Sequence, residues 1–422
     1  MADHQVGIIG GGLAGLNAAR ILASKNVDVA LFEREDTVGG RVRTDDDAGY
    51  RFDRGFQVLF TAYPEARRAL DMSALDLQRF PAGAVVCRDN HRSVVADPLR
   101  DPWKAVETAF SRDLSIRDKI EILRLRRHLA DRSRDDIFAG PDTSIEQYLE
   151  DRGFSRRFVD SFATPFFGGI TLDRTLTSSK RIFEFAFSML ASGDAAVPAD
   201  GMGAIPEQLR ENARNAGARI ETGTPVDSIQ GEDTVEISTA TETISFECGI
   251  VAAGPEASRE LTGIEAIPTK GRSSVTQYFS LPTGNPIGDQ SRILLNAGSS
   301  VPNQVSVISA TAPSYAPEDF HLLSVSTPGH VDVDEERLAR QTRTTLSSWY
   351  PAASFDDLSL LKTDRIPFAQ FDQPPGVHES LPDVTDPAGN VYLAGDFTED
   401  SSINGALSSG RRAATAVESA LE

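Results

Sequence analysis

The chain has 422 residues, of which 40% are hydrophobic and 25% charged, a length that exceeds one compact core and predicts two domains. Its net charge of -20 at pH 7 argues against a nucleic acid partner, and two distant cysteines, Cys87 and Cys248, argue against a disulfide framework. Reduced cysteines, no signal peptide ahead of the first strand and no membrane-spanning apolar run predict a cytoplasmic protein.

The first 33 residues carry a dinucleotide-binding pattern. A short apolar strand is followed by GxGxxG, a helix and a second strand that ends at an acid. The glycines permit the tight turn, the approach of a pyrophosphate and close helix packing, and the acid accepts ribose hydroxyls. The phosphates bind at the helix N-terminus. The candidate cofactor-binding residues of this unit are Gly10, Gly12, Leu13, Ala14, Gly15, Glu33 and Arg34.

A second glycine pair follows the acid. Residues 34–43 read REDTVGGRVR, in which Gly39 and Gly40 permit close backbone approach and Arg41 offers a planar donor fork for phosphate. With this element the chain resembles the flavin amine oxidoreductase superfamily, which includes amine oxidases, protoporphyrinogen oxidases and carotenoid (phytoene) desaturases. The resemblance implies FAD and not NAD, because in that family the paired glycines and the arginine cover the FAD pyrophosphate.

Weaker matches to the family continue along the chain. The resemblance implies that residues 52–57, FDRGFQ, pass the flavin, that residues 201–206 begin a helix, and that residues 217–226 form a strand pair whose valine meets adenine. Residues 250–254 predict another buried strand. The cofactor-binding candidates in these segments are Gly55, Phe56, Val226, Ala253 and Gly254.

Two insertions separate the matching segments. The first, residues 76–199, is expected to be mainly helical, with helices at 103–110, 116–129, 145–150 and 178–190. It is rich in phenylalanine, and in desaturase-like relatives this region forms a hydrophobic tunnel and a membrane-facing surface; a plain helical core is the alternative. The helix at 116–129 is locally basic, so membrane contact and a solvated helix with salt bridges both stay open.

The second insertion, residues 266–384, predicts an antiparallel sheet with strands at 273–281, 304–310 and 322–327 and a helix at 333–349. After it, VYLAGD at 391–396 and INGALSSGRRAA at 403–414 resemble the family's closing motif. The resemblance implies that the aspartate bonds the cofactor and that a helix N-terminus stabilises the negative charge of reduced flavin. The candidates are Gly395, Asp396, Ile403, Asn404 and Ala406.

The predicted fold is α/β. We expect a Rossmann-like FAD-binding domain of the GR2 type, discontinuous over residues 1–75, 200–265 and 385–422. An inserted α+β substrate-binding domain is expected to comprise residues 76–199 and 266–384, first helical and then an antiparallel sheet.

The catalytic residues stay unknown at this stage. The six histidines lack metal-ligand spacing and no nucleophile motif is present, so we predict no metal. Flavin chemistry needs neither, since a hydride moves from substrate to flavin N5. Amine oxidases commonly place a lysine near N5; residues 271–279 lack one, and Lys270 is out of register. The pocket candidates are Tyr278, Phe368 and Gln370.

These departures favour desaturation or dehydrogenation of a hydrophobic, isoprenoid- or carotenoid-like substrate, with O2 or a quinone as electron acceptor. An amine oxidase that releases peroxide is one alternative. A non-enzymatic isoprenoid-escort protein of the same fold is another, and the intact FAD motifs argue against it. The closing motif holds no cysteine, which predicts non-covalent FAD. Peripheral membrane contact and oligomeric state stay open.

Basic residues are mostly arginine, because only six of the 42 are lysine. An acidic surface with few lysines is typical of proteins that work in high salt, where self-repulsion is screened within about 3 Å at 1 M. We therefore hypothesise a halophilic source.

Overall fold

The computed structural model describes residues 4–96, 114–288, 290–298 and 301–422. Its strands are β1 (His4–Ile9), β2 (Val29–Phe32), β3 (Thr44–Asp47), β4 (Tyr50–Asp53), β5 (Leu59–Phe60), β6 (Leu77–Arg79), β7 (Ala84–Arg88), β8 (His91–Val95), β9 (Ala195–Pro198), β10 (Arg219–Glu221), β11 (Val226–Gln230), β12 (Val235–Thr239), β13 (Thr243–Val251), β14 (Gly271–Pro282), β15 (Ile293–Asn296), β16 (Gln304–Val307), β17 (Phe320–Pro328), β18 (Ser359–Phe371) and β19 (Val391–Leu393).

The described helices are α1 (Leu13–Ser24), α2 (Pro64–Ala69), α3 (Ile116–Leu129), α4 (Arg134–Ala139), α5 (Ile145–Asp151), α6 (Arg156–Phe158), α7 (Thr164–Ile170), α8 (Lys180–Ser192), α9 (Ala204–Asn215), α10 (Pro255–Thr262), α11 (Ile308–Thr311), α12 (Glu335–Trp349) and α13 (Ile403–Leu421). A π-helical turn, Val159–Ala163, joins α6 to α7. Within the described parts of the chain, no helix is long and apolar enough to cross a membrane.

The first sheet is assembled from three separated parts of the chain. Its order is β10-β2-β1-β13-β12-β11, and β19 pairs with the end of β13. The central strands β10, β2, β1, β13 and β19 run parallel, while β11 and β12 are antiparallel additions. All of β2 and the last four residues of β1 are buried, as expected for a parallel sheet covered on both faces.

Three helices cover one face of this sheet. The core there joins β1, α1, α9 and α13 through buried residues such as Ile8, Leu16, Leu209 and Leu407. Helices α1 and α13 touch at Gly410, where a Cβ atom would lie 2.2 Å from the backbone oxygen of Ala14. A separate core covers the opposite face, with Phe32, Phe246, Phe371 and Phe397 among its buried residues.

The second sheet has the order β18-β14-β17-β16-β15-β7-β8. Its pairs are antiparallel except for β15 with β7, which are parallel. Helix α12 packs on it through Leu346 and Trp349, which share a core with Phe279 and Leu323. The strands predicted at 273–281 and 322–327 are β14 and β17, and the helix predicted at 333–349 is α12. The strand predicted at 304–310 is too long, because β16 ends at Val307 and the chain continues into the short helix α11.

The first insertion is helical in part. The predicted helices at 116–129, 145–150 and 178–190 correspond to α3, α5 and α8, and the one at 103–110 lies outside the described residues. Strands β7 and β8, which the helical prediction omitted, form a hairpin that joins the second sheet. In this hairpin β7 is buried from Ala84 to Cys87, and Asn90 in the turn has φ +50°.

Candidate functional site

The GxGxxG segment forms a tight turn between β1 and α1. Gly10 has φ +111°, and a Cβ atom at Gly15 would lie 2.1 Å from the Gly10 carbonyl oxygen, so only glycine allows this approach. Gly12 precedes α1, whose N-terminus has no side-chain cap, and the space where a Cβ of Gly12 would stand has no atom within 4 Å. The first turn of α1 is therefore open to an anion such as a pyrophosphate.

Glu33 and the second glycine pair lie against this turn. Glu33 follows β2, is 7% exposed and accepts a hydrogen bond from the Gly11 N–H at 2.6 Å. Gly39 donates its N–H to the Gly11 carbonyl at 2.8 Å, and a Cβ on Gly40 would lie 3.5 Å from the Gly12 Cα. Two turns that depend on glycine therefore border one anion-accepting helix end, with a carboxylate held beside them.

Arg41 joins the first motif to the last. Its guanidinium donates to Asp396 Oδ1 at 2.6 Å and to the Ala369 carbonyl at 3.2 Å. Asp396 is 4% exposed, and its Oδ2 accepts the Ser401 hydroxyl at 2.7 Å. The Arg41 side chain keeps 37% of its surface exposed, so it can still meet a ligand. The contact places both motifs beside β18 of the second sheet.

The N-terminus of α13 is fixed by two side chains. The Ser402 hydroxyl accepts the Gly405 N–H at 2.9 Å and caps the helix, which begins at Ile403. The Asn404 side chain accepts the Glu65 backbone N–H at 3.0 Å and ties this turn to α2. A helix N-terminus carries partial positive charge, so this end of α13 is suited to a ligand that becomes negative.

Parallel strands bring several candidates to one edge. Because β1, β2, β13 and β19 run in the same direction, the residues after their carboxyl ends share an edge, where open α/β sheets bind ligands. Gly10, Glu33, Ala253, Gly254 and Gly395 all lie there. The other candidates lie elsewhere. Leu13 and Ala14 are buried in α1, Ala406 is in the first turn of α13, and Val226 begins β11. Arg34 is exposed and pairs with Glu35, while Gly55 and Phe56 lie beside the second sheet.

The three pocket candidates do not lie together. Phe368 and Gln370 are on β18. Tyr278 is on β14, opposite Lys362 of β18, and Lys362 is separated from Gln370 by about 25 Å along that strand. Gln370 donates its side-chain amide to the Ile170 carbonyl at 3.0 Å. Gln370 therefore lies next to the residue that contacts Arg41, and Tyr278 lies toward the opposite end of the β14–β18 pair.

Sequence reasoning missed a buried carboxylate, Asp53. Its Oδ1 accepts the Thr44 hydroxyl at 2.6 Å and the Met202 N–H at 2.8 Å, and its Oδ2 accepts the Tyr315 hydroxyl at 2.9 Å. Burial raises the pKa of Asp53 to about 6. Its only sequence signal was its place in FDRGFQ, because two of the three donors, Met202 and Tyr315, come from distant segments.

The fold and this edge define a dinucleotide-binding α/β protein. The family model for flavin containing amine oxidoreductases matches residues 13–418, and the chain belongs to this family. The resemblance predicted from the motifs is thereby confirmed.

Curated relatives include enzymes of two kinds. The chain is 30% identical over 181 residues to protoporphyrinogen oxidase 2 of Arabidopsis thaliana, covering 40% of this chain and 34% of that protein. It is 34% identical over 86 residues to carotenoid 3,4-desaturase of Haloarcula japonica, covering 18% and 17%. The chain thus aligns with about a third of the first relative's length and less of the second.

Solved structures match over the whole chain. A putative protoporphyrinogen oxidase from Exiguobacterium shares 17% identity with a TM-score of 0.72, and putrescine oxidase bound to putrescine shares 16% with a TM-score of 0.73. Each alignment covers 99% of both chains. At this identity the likeness shows the fold alone, and it confirms the predicted α/β fold class, a Rossmann-like part with an α+β part.

Proposed function

We propose that this protein is an oxidoreductase with non-covalently bound FAD that takes a hydride from a hydrophobic, isoprenoid- or carotenoid-like substrate and passes the electrons to O2 or a quinone. The observation that carries the proposal is the meeting of the glycine turn, Glu33, Arg41 and Asp396 at one sheet edge. When bound, FAD supplies a hydride acceptor at N5.

Each anchor has a chemistry that suits part of FAD. The uncapped first turn of α1 would receive the pyrophosphate, and Arg41 offers charged donors to the same group. Glu33 and Asp396 would accept hydroxyl groups of the ribose and of the ribityl chain. The N-terminus of α13 favours the negative charge that flavin gains on reduction.

We also propose the domain division expected from the sequence. The first sheet takes its strands from residues 4–32, 219–251 and 391–393, and the second from residues 84–95 and 271–371. These ranges fall within the expected FAD-binding and substrate-binding segments, which supports the division.

A half-buried apolar row supports a hydrophobic substrate. Phe162, Phe166 and Ile170 recur every four residues along the continuous helical stretch from α6 to α7, and each is only partly buried. The Phe162 and Phe166 rings stack at 5.1 Å with 12° between their planes. The row ends at Ile170, whose carbonyl accepts the Gln370 amide next to the Arg41 contact. An apolar molecule lying along this row would point to the proposed cofactor site.

The position of Lys270 supports this substrate class over an amine. Its side chain is 87% exposed and its ammonium pairs with Asp372 at 3.2 Å, so it lies on the surface. An amine oxidase that relies on a lysine beside N5 would need that group inside the site.

We test the proposal with the visible absorption spectrum of protein purified in molar KCl, before and after denaturation. A flavin spectrum that is released on denaturation supports non-covalent FAD, and flavin that stays with the polypeptide contradicts it. Anaerobic bleaching by apolar polyenes, and not by polyamines or aromatic amines, is the expected substrate result. Bleaching by amines with peroxide release favours the amine oxidase. A colourless protein that cannot be reconstituted with FAD favours the escort protein.

We further propose that α3 contacts a membrane surface, where an apolar substrate would be found. An exposed apolar row on α3 is formed by Ile116, Ile120 and Leu123. These three residues are 78%, 45% and 50% exposed, respectively. Cationic residues flank the row: Arg117, Lys119, Arg124, Arg126 and Arg127. An apolar row between cations, on a chain of charge -20, suits an anionic lipid surface.

A further inference from the structure

The segment 53–57 connects the second sheet to the proposed cofactor site. Tyr278 on β14 donates its hydroxyl to the Asp53 carbonyl. At the other end of the segment, the Gln57 amide donates to the Arg41 carbonyl at 2.9 Å. A strand of the second sheet is therefore joined by two hydrogen bonds and a short stretch of backbone to the arginine that contacts Asp396.

Packing also holds the segment against the second sheet. Gly55 has φ +83°, and a Cβ atom there would lie 2.8 Å from Cδ1 of Ile366 on β18. Its carbonyl lies 3.4 Å from the Tyr278 hydroxyl. The positive φ disfavours any other residue at this position, and the absence of a side chain lets the Ile366 methyl group approach the backbone closely.

The Asp53 carboxylate is held from both parts of the molecule. Thr44 and Met202 donate to one oxygen from the first part, and Tyr315 donates to the other at 2.9 Å from the second insertion. Asp53 is 5% exposed and Tyr315 is 1% exposed. Three donors around one buried carboxylate fix the start of the segment.

A small cavity lies between these groups. Asp53, Tyr278, Tyr315 and Ser324 contribute to its lining, and it has room for about one water molecule. The Ser324 hydroxyl is buried beside Tyr278 and forms no hydrogen bond of standard geometry with the residues that the structure describes. A buried hydroxyl beside a cavity of this size, with Asp53, Tyr278 and Tyr315 also in the lining, is a site for an ordered water.

We propose that Asp53, Tyr278 and Tyr315, with a water bound at Ser324, form a brace that positions the segment 53–57 against the flavin. The brace rests on the proposed function, because it requires FAD at the sheet edge. Its members are positioning residues: they act through the segment's carbonyls and through the Gln57 bond to Arg41. The second sheet, which carries Gln370, is thereby held in a fixed relation to the cofactor.

The test replaces single hydroxyl groups in the FAD-bound protein. Tyr278→Phe and Tyr315→Phe keep the rings and remove one hydrogen-bond donor each. The matched control is Tyr350→Phe, at the residue that follows α12 and packs against the core of the second sheet. We measure the dissociation constant of FAD, the visible bands of the bound flavin and its midpoint potential. For both brace variants we expect about tenfold weaker FAD binding and shifted bands and potential. Tyr350→Phe is expected to match the wild type.

A structural role alone would lower the unfolding temperature and leave the flavin unchanged. If Tyr278→Phe and Tyr315→Phe bind FAD with wild-type affinity, bands and potential, the brace is overturned. Should Tyr278→Phe fail to fold, Ser324→Ala removes only the hydroxyl at the water site, and its flavin bands are expected to shift. If the wild type binds no FAD, the proposed function fails and the brace fails with it. If the wild type binds FAD, the result of the variants tests the brace alone.

Asp53 provides a second readout through its charge. Burial raises the pKa of Asp53 to about 6, so the carboxyl ionises as the pH rises through that value. The titratable or charged groups around Asp53 and its two tyrosines are Asp45, Asp46, Arg51, Asp364 and Lys362, besides the tyrosines themselves. We expect the bands of the wild-type flavin to shift between pH 5 and 7, a window of about one unit on each side of that pKa, and Asp53→Asn to lose the shift. An identical shift in Asp53→Asn would remove Asp53 from the brace.

Discussion

Arg41 and Asp396 are 355 residues apart in the sequence and 2.6 Å apart in the structure. The aspartate is almost fully buried, and a second hydrogen bond from Ser401 fixes its orientation. A charge-assisted bond to a buried carboxylate is stronger than one at the surface. The two ends of the chain are therefore already joined where we propose that FAD binds, so binding requires little rearrangement.

Replacing Asp396 with asparagine is expected to weaken FAD binding by about tenfold or more, because it removes a charged acceptor and leaves Arg41 without its anionic partner. The dissociation constant, measured by flavin fluorescence during titration, provides the check. Asp383→Asn is the control: Asp383 is about half exposed and pairs with Arg412 of α13, away from the turn. Equal affinities for the wild type and Asp396→Asn would contradict a role for Asp396 in the site.

At the residue scale, the sequence predicted what depends on local backbone. Gly10, Gly39 and Gly40 were found because a positive φ and close approach require glycine wherever the motif occurs. Nothing in the sequence indicated that Tyr278 contacts Asp53, or that Arg41 reaches the Ala369 carbonyl. Those contacts depend on how distant segments pack, which neither periodicity nor spacing reports.

At the scale of elements, the strongly periodic segments were predicted well and the short strands were not. Helices α3, α5, α8 and α12 follow their predicted ranges within a few residues. The β7–β8 hairpin was missed because its partner, β15, lies about 200 residues further along the chain and supplies the pairing that makes the hairpin an extension of the sheet. Tertiary pairing, more than local preference, decides such strands.

Helix α3 stands apart from the other elements in its exposed apolar surface. Among the described residues, three of the five exposed large hydrophobic side chains belong to it, at Ile116, Ile120 and Leu123. Its opposite face is buried through Leu125 and Leu129. The helix is therefore anchored on one side and presents an apolar row with flanking cations on the other.

We expect the double variant Ile120→Ser, Leu123→Ser to bind lipid vesicles at least about tenfold more weakly than the wild type, since each aliphatic side chain contributes apolar area. Co-sedimentation with phosphatidylglycerol vesicles measures this. The control, Phe320→Ser with Leu361→Ser, removes exposed apolar side chains elsewhere, and its binding is expected to be unchanged. Wild-type protein that stays in the supernatant, or equal loss in both double variants, would contradict contact through α3.

The whole molecule carries a net charge of -20, which opposes compaction unless salt screens it. Local ion pairs, such as Arg51 with Asp46 and Lys362 with Asp45, engage part of the acidic surface. Pairs this exposed contribute little each, so the excess of acids is not cancelled by them. Screening by ions is then the main way to relieve the repulsion, which is the physical basis of the halophilic hypothesis.

We therefore expect the unfolding temperature to rise between 0.1 M and 2 M KCl. Screening and the general exclusion of salt from protein surfaces can both produce this rise, and a charge variant separates them. Glu232→Gln, Asp233→Asn and Glu236→Gln remove three exposed negative charges around the β11–β12 hairpin. If repulsion dominates, this variant is more stable than the wild type at 0.1 M KCl, and the difference disappears at 2 M because the screening length falls to about 3 Å or less. A wild type that unfolds at the same temperature in both salts would show that the acidic surface is not an adaptation to salt.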